Sequence, residues 1–236
     1  ADFSEGQGNG RPGLSTEEAR NLSAGIAFDL GGSSWTVDLY DIKVDGRVAL
    51  GANVDFLDAL NSASATQYTS IGESLTGLNA AGIINRADFA GLDDLSQFRF
   101  FSNSFDTTTR GVDIVGNYSF DLWEGNSRIT LAANYNETEV DDVGTLNPIG
   151  EGRVAAIEDL LPNLRGNVSW THTQGDFRTL VRANYYGGWD DTGNGVNGIG
   201  ATVLVDVEAV YSYSENLDLV VGANNLFDTY PDENPS

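Results

Sequence analysis

The single histidine is the natural place to look for catalysis, because the chain has no cysteine and imidazole is the commonest general base. In hydrolases such a base works beside a nucleophilic hydroxyl and an orienting carboxylate. His172 has Ser169, Thr171 and Thr173 close in sequence, but no nucleophile motif surrounds it. We predict no catalytic residue. The enzyme alternative requires His172 to lie within hydrogen-bond reach of a serine and a carboxylate.

Two carboxylate pairs and a glycine-rich segment are the remaining candidate sites. Asp141-Asp142 and Asp190-Asp191 offer hard oxygen ligands for Ca²⁺, but neither is followed by the glutamate that completes an EF-hand loop. Residues 193–198 have the spacing G-x-G-x-x-G, yet a predicted strand follows them instead of a helix whose N-terminus binds pyrophosphate. We interpret all three as solvated loop and predict no metal site and no cofactor.

Charge and hydropathy narrow the class of protein. With 35 acidic against 12 basic side chains, the net charge is -23, which disfavours nucleic acid as a partner because phosphate binding needs lysine and arginine. The sequence has no run of about 18 apolar residues, the length that a membrane-spanning helix requires, so no such helix is predicted. Membrane-spanning strands remain possible, since only every second residue of a barrel strand contacts lipid.

The dominant period of the sequence is two. In residues 129–135 and 201–213, apolar side chains alternate with polar or small ones, which is typical of strands with one apolar and one wet face. This pattern predicts an all-β fold, an antiparallel transmembrane β-barrel segment of about eight strands. The predicted strands are 20–30, 34–50, 97–121, 127–141, 163–174, 176–189, 201–213 and 216–227.

The connections alternate between short and long. Short turns follow the first, third, fifth and seventh strands, whereas the longer connections are 51–96, 142–162 and 190–200. Short turns at one rim and long loops at the other are the layout of outer-membrane barrels. A soluble β-sandwich is the alternative, but its Greek-key connections would not alternate so regularly.

Both faces of the predicted strands have a distinctive composition. Aromatic residues concentrate beside the short turns, as in the interfacial girdle of a membrane barrel, although aromatic packing in any strand core gives a similar pattern. Charged and amide side chains fall on the other face of the strands. We predict that these line the barrel lumen: Asp38, Asp113, Asn117, Asn134, Arg182, Asp206 and Glu208.

Three segments resemble a known family. Residues 100–113, FFSNSFDTTTRGVD, resemble the "FFTNA-DT-TRGVD" strand of the TonB-dependent outer-membrane receptors. Residues 162–165 leading into Trp170, together with 182–188, are similar to the hairpin that follows in that family, and NNLFD at 224–228 with Pro231 resembles its "NLFD…P" motif. The motifs occur in the family's order from about Asn21 to Pro231.

The resemblance implies a barrel of about 22 strands in the outer membrane of a Gram-negative bacterium, with an N-terminal plug in its lumen. It implies uptake of a scarce nutrient such as a siderophore, cobalamin, haem or a glycan, driven by TonB through the N-terminal part. Residues 1–236 then represent part of the barrel, without the plug, the TonB box or the last strand. A complete eight-stranded barrel, serving as an adhesin or anchor, is the alternative and requires 20–30 to pair with 216–227.

The resemblance also implies that the outer loops capture the ligand, a small molecule or glycan. The longest loop, about 51–96, includes 68–84, where Ile71, Leu75, Leu78 and Ile83 recur at helical spacing and predict a short helix. A loop packing on itself is the alternative. The predicted ligand contacts are Tyr68, Arg86, Phe89 and Trp189.

Overall fold

The fold is dominated by one antiparallel sheet. The computed structural model describes residues 14–144, 148–192 and 195–232. Eight strands are hydrogen-bonded in the order β1-β2-β5-β6-β7-β8-β11-β12, which confirms the all-β prediction. These are β1 (Glu18–Leu30), β2 (Ser33–Leu50), β5 (Phe101–Leu122), β6 (Gly125–Asp142), β7 (Leu164–Gln174), β8 (Phe177–Tyr186), β11 (Thr202–Ser214) and β12 (Leu217–Ala223).

Four shorter strands form two small sheets within the long connections. Strand β3 (Val54–Asp55) pairs with β4 (Gln97–Phe98), and β9 (Trp189–Asp191) pairs with β10 (Val196–Ile199). The predicted strand 176–189 is therefore too long at its C-terminal end. It stops at Tyr186 because Gly187-Gly188 separates it from β9.

Three helices lie in the connections. They are α1 (Phe56–Ser62), α2 (Ile71–Ala80) and α3 (Glu151–Glu158), and a 3₁₀ turn covers Arg86–Phe89. Helix α2 falls where the spacing predicts one, whereas α1 and α3 are not predicted. Among the described residues, no helix has both the length and the apolar composition needed to cross a membrane.

The chain divides into two compact units. One unit is built on Gly46–Phe105 and has its own apolar core of Phe56, Leu60, Leu75 and Leu78. Asp55 and Ser70 cap α1 and α2, each accepting a hydrogen bond from a backbone N–H three residues on. The other unit contains Glu18–Asp45, Asp106–Asp142 and the described chain from Glu151 onward, and it holds most of the eight-stranded sheet.

Tight turns join the strands at one end of this sheet. Gly31 (φ 59°) and Gly32 (φ 85°) both have positive φ, the requirement of a two-residue type I′ hairpin. The turn from β5 to β6 has the same signs of φ, although its central residues are Trp123 (φ 48°) and Glu124 (φ 63°). Non-glycine residues there carry a conformational cost, which the strands on either side must offset.

Strand β12 ends earlier than the sequence predicts. The prediction of a strand over 216–227 is wrong beyond Ala223. Asn225 has a φ of 50° and interrupts the regular strand pairing, while Leu226 N donates to Val205 O (2.7 Å) and Asn225 N to Asp206 Oδ1 (3.0 Å). The segment after β12 thus continues alongside β11, towards the end of the sheet away from the tight turns, without forming a regular strand.

Candidate functional site

The register of the strands separates the side chains onto two faces. Residues paired directly across antiparallel strands point to the same side of the sheet, and residues two apart on a strand share that side. Asp113 pairs with Asn134, Asn117 with Thr130, and Asp206 with Arg182. Following the pairs from strand to strand places Asp113, Asn117, Asn134, Arg182, Asp206 and Glu208 on one face, called the polar face below.

Hydrogen bonds extend the polar face to β2. Asn134 Nδ2 donates to Asp113 Oδ1 (2.6 Å) and to Tyr40 OH (3.1 Å). Asp38 is two residues from Tyr40 on β2 and therefore lies on the same face. All seven residues for which the sequence predicts a lumen position are thus on a single face of the sheet.

A cavity of about 410 Å³ lies near the middle of the sheet, and residues of both faces line it. Arg165 and Arg182 face the same side and form no ion pair in the described part of the chain, although Arg165 Nε donates to Pro162 O (3.3 Å). The lining from the polar face comprises Asp113, Val115, Ala132, Asn134, Arg165, Asn167, Asn184 and Tyr186, and that from the apolar face Ile114, Ala133, Gly166 and Tyr185.

The opposite face, called the apolar face below, is exposed although its side chains are hydrophobic. Leu22 is 71% exposed, Val221 72% and Val168 44%. In a soluble β-sandwich a second sheet would cover such a face. The described chain contains only the two-stranded sheets besides this one, so the sandwich alternative is not supported. An apolar surface of this extent marks a membrane or protein interface.

Aromatic residues border the apolar face beside the tight turns. Tyr118 stacks on Phe120 with ring centroids 5.4 Å apart, and Phe177 stacks on Tyr211 at 4.6 Å. A methyl group at Gly116 would collide with the Trp35 ring, so the glycine leaves room for this indole. A row of this kind is what a membrane interface favours, since amphipathic rings sit at the level of the lipid headgroups.

Charged residues border the apolar face at the end away from the tight turns. Arg110 Nε lies 2.9 Å from Asp41 Oδ2, and Lys43 Nζ lies 3.1 Å from Asp45 Oδ1. The four residues lie on β2 and β5, and Asp41 is the register partner of Leu22 on β1.

His172 forms a buried cluster on the apolar face beside the tight turns. Its Nδ1 lies 2.8 Å from Ser127 Oγ, and Trp170 Nε1 donates to the same hydroxyl at 3.3 Å. Trp170 stacks on the imidazole and Trp123 meets it edge-on. Nε2 has no hydrogen-bond partner in the described chain.

This cluster is not a catalytic triad. No carboxylate bonds to the ring among the described residues, and Ser127 is 0% exposed, so a substrate has no access to its hydroxyl. The three hydroxyls near His172 in sequence, Ser169, Thr171 and Thr173, are all on the polar face. The serine that does reach the ring is 45 residues away, and only the register of β6 against β7 reveals it.

The three predicted ligand contacts in the long loop have local packing roles. Arg86 Nη2 lies 2.6 Å from Asp93 Oδ1, and Phe89 stacks on Phe56 at 6.5 Å. Tyr68 crosses α2 where Gly77 leaves space for its ring. These contacts support the alternative that the loop packs on itself. They leave the predicted ligand role of the three residues untested.

Trp189, the fourth predicted contact, lines an apolar cavity of about 250 Å³. The segment after β12 closes it: Gly200 N donates to Asp232 Oδ2 (2.9 Å), which brings Pro231 against the end of the sheet. This cavity is called the Trp189 pocket below. Its lining comprises Tyr186, Gly187, Trp189, Gly200, Thr202, Leu204 and Pro231.

The carboxylates of the two candidate Ca²⁺ sites hydrogen-bond to other residues of the chain. Asp141 Oδ2 accepts a hydrogen bond from Thr108, and Asp190 Oδ1 accepts one from Gly198 N. Among the described residues, no group of three or more His, Cys, Asp or Glu side chains is arranged to hold a metal ion. The glycine-rich segment 193–198 is described only from Gly195, because 193 and 194 lie outside the described residues.

The chain matches a family model and several solved structures. A family model described as TonB dependent receptor-like, beta-barrel matches residues 1–226. A comparison with curated protein sequences gives no match.

Several solved structures share the fold. The ferric yersiniabactin uptake receptor FyuA from Yersinia pestis is 12% identical, with a TM-score of 0.55 over 93% of this chain and 26% of its own. The FrpB iron transporter from Neisseria meningitidis is 12% identical, with a TM-score of 0.60 over 92% and 28%. The ferripyoverdine receptor of Pseudomonas aeruginosa is 15% identical, with a TM-score of 0.52 over 92% and 24%. The chain thus spans about a quarter of each structure.

Proposed function

The chain belongs to the TonB-dependent receptor-like β-barrel family, and from this premise we propose that it forms part of the wall of an outer-membrane importer for a scarce nutrient. The observation that carries the proposal is the segregation of side chains by face. Every predicted lumen residue is on the polar face, while the opposite face exposes an apolar band with an aromatic border. Lipid on one side and water on the other would satisfy both faces.

In this proposal Asp38, Asp113, Asn117, Asn134, Arg182, Asp206 and Glu208 line the lumen. Arginine and carboxylate side chains there avoid the cost of about 2–4 kcal/mol that a lysine or arginine pays at the bilayer midplane. The long loop 51–96 would then be extracellular, because it joins strand ends opposite the tight turns.

We infer that further strands pair with β1 and β12. These two strands are at opposite ends of the sheet order, and each leaves one row of backbone N–H and C=O groups unpaired by the sheet. Lipid cannot hydrogen-bond to such groups, so a membrane sheet must close. The order of the strands speaks against the alternative of a complete eight-stranded barrel, which needs β1 to bond to β12. The quarter-length match to larger receptors supports the same inference.

The partners in this proposal are the outer-membrane bilayer, a small-molecule or glycan ligand, and the TonB complex acting through an N-terminal part of the receptor. The structures that share the fold include receptors for ferric yersiniabactin and ferripyoverdine, an iron transporter and a copper transporter. Iron chelates are therefore the first ligands to test, ahead of cobalamin, haem and glycans.

The test is uptake by cells that produce the complete receptor containing this chain. Cells would be supplied with radiolabelled ferric siderophores, cobalamin or haem, with matched cells lacking TonB as the control. The proposal expects receptor-dependent accumulation of one ligand that is lost without TonB. Accumulation of none of these ligands or of glycans, or accumulation that persists without TonB, would overturn it.

A further inference from the structure

The Trp189 pocket differs from the rest of the polar face in its chemistry. That face carries charged and amide side chains such as Asp113, Asn134 and Arg182, whereas this pocket has two aromatic rings, Trp189 and Tyr186, with Leu204 and Pro231. It lies at the ends of β8 and β11 away from the tight turns. In the proposed orientation this is the end that an arriving ligand meets first.

Its volume suits a single ring. An apolar cavity of about 150 Å³ is known to bind benzene in another protein. The Trp189 pocket, at about 250 Å³, has room for one aromatic ring with a small substituent, and is smaller than the cavities of about 300–1,000 Å³ that take whole drug-sized ligands.

The pocket lining has too few polar groups to hydrogen-bond the hydroxyls of a sugar. Thr202 and Tyr186 supply the side-chain hydroxyls, and Thr202 is only 9% exposed. A sugar ring would bury several hydroxyls without partners, and each unpaired group costs about 1–3 kcal/mol. An aromatic ring has no such requirement and gains from stacking on Trp189 or Tyr186.

The charged residues around the Trp189 pocket favour some ligand groups over others. Asp190 and Asp191 follow Trp189, Asp232 follows Pro231, and Asp206 is two residues beyond Leu204 on the polar face. The nearby cations are Arg165 and Arg182, the register partners of Tyr186 and Asp206. Four carboxylates against two guanidinium groups leave an excess of negative charge, which disfavours an anionic ligand.

We propose that the Trp189 pocket binds one uncharged or cationic aromatic ring of the transported ligand. This rests on the proposed function, since it names the chemistry of a ligand group that the importer would recognise. The segment after β12 is part of the site, because it supplies Pro231 and holds it through the bond from Gly200 N to Asp232.

The test uses the complete receptor, purified in detergent, and three probes of equal ring size: 4-fluorobenzylamine, 4-fluorobenzyl alcohol and 4-fluorobenzoate. Binding is followed by the ¹⁹F resonance of each probe, with methyl glucoside as a sugar control. We expect the amine and the alcohol to bind at least tenfold more tightly than the benzoate and the glucoside. Equal binding of all three aromatic probes, preference for benzoate or glucoside, or no binding of any probe would each overturn the inference.

Variants locate the binding. Trp189→Ala should weaken binding of the amine at least fivefold, and Leu204→Phe should do the same by filling the cavity. Trp123→Ala, at the tight turn, is the matched control and should leave binding unchanged. Unchanged binding in both Trp189→Ala and Leu204→Phe would sink the inference.

The outcome is separable from that of the proposed function. Probe binding needs neither TonB nor a membrane potential. A receptor that imports a ligand but does not bind the probes refutes the pocket alone, whereas one that binds the probes but imports nothing refutes the importer.

Discussion

Whether a side chain is tolerated at a position of this sheet depends on the face that the position occupies. Asn167 and Val168 are neighbours near the middle of β7, the first on the polar face and the second on the apolar face. An arginine placed at the bilayer midplane must be desolvated, snorkel or deform the membrane, whereas one in the lumen keeps its water.

We therefore predict that Val168→Arg lowers the free energy of unfolding by about 2–4 kcal/mol. Asn167→Arg, the matched control one residue away, should change it by less than about 1 kcal/mol. The measurement is urea unfolding of the complete receptor in lipid vesicles. Equal effects of the two substitutions would contradict the assignment of the faces.

A second prediction concerns the hydroxyl of Ser127. Ser127→Ala leaves His172 Nδ1 and Trp170 Nε1 without their partner in a buried cluster. The expected loss of stability is about 1–3 kcal/mol. Ser119→Ala, at an exposed serine on the polar face, serves as the control and should stay within about 0.5 kcal/mol. A loss no larger than in the control would show that the cluster contributes nothing.

At the scale of residues, local sequence indicates the face of a side chain but not its partners. The alternation of polar and apolar residues suffices to group Asp38, Asn134 and Glu208. The contact of His172 with Ser127 depends on register across two strands, which a period of two does not fix. Arg86 likewise finds Asp93 only because the loop folds back on itself.

At the scale of elements, the turn from β5 to β6 holds non-glycine residues in an unfavourable backbone conformation. Glu124 has a φ of 63°, which non-glycine residues adopt at a cost of about 1–2 kcal/mol. Glu124→Gly should therefore raise the stability of the barrel by up to about 1 kcal/mol in urea unfolding, after the entropy that glycine adds to the unfolded chain. In the turn from β11 to β12, Glu215 does not have a positive φ, so Glu215→Gly should give no gain. A gain there as large as at Glu124 would contradict the explanation.

The long loop has a core whose loss should unfold it locally. Leu75 in α2 is 0% exposed, whereas Ile83, also predicted to lie on its apolar stripe, is 52% exposed. Leu75→Ala should lower the local stability by about 2–5 kcal/mol. Ile83→Ala should change it by less than about 0.5 kcal/mol. Hydrogen exchange of the α2 amides measures both, and slow exchange persisting in Leu75→Ala would refute the role of this core.

The sequence predicts the eight long strands well because each is long and strongly periodic. It misses what depends on short or weakly periodic segments. The helix α3 has a mixed composition with no apolar stripe, and β9 and β10 are too short to show a period. The start of α2 could have been predicted from Ser70 and Glu73, which have the spacing of a capping box.

At the scale of the whole molecule, the eight-stranded sheet leaves its apolar face exposed and one row of backbone groups on each edge strand unpaired within the sheet. In the proposed barrel, lipid covers the exposed apolar band, and further strands pair with β1 and β12. We therefore predict that residues 1–236 produced alone aggregate. A monomeric, heat-modifiable band on a gel, folded in detergent, would contradict this prediction.

The central claim is that one face of this sheet contacts lipid and the other lines a water-filled lumen. Residues 1–236 contain no cysteine. Single-cysteine substitutions at Asn167, Val168, Ser169 and Trp170 are made in the complete receptor, with every cysteine outside this stretch replaced by serine, and each is spin-labelled in vesicles. We predict that labels at 168 and 170 are relaxed by oxygen dissolved in the bilayer, and labels at 167 and 169 by a water-soluble nickel chelate. Labels at 168 and 170 that neither reagent reaches, as under a second protein layer, or a loss of the two-residue alternation, would contradict the claim.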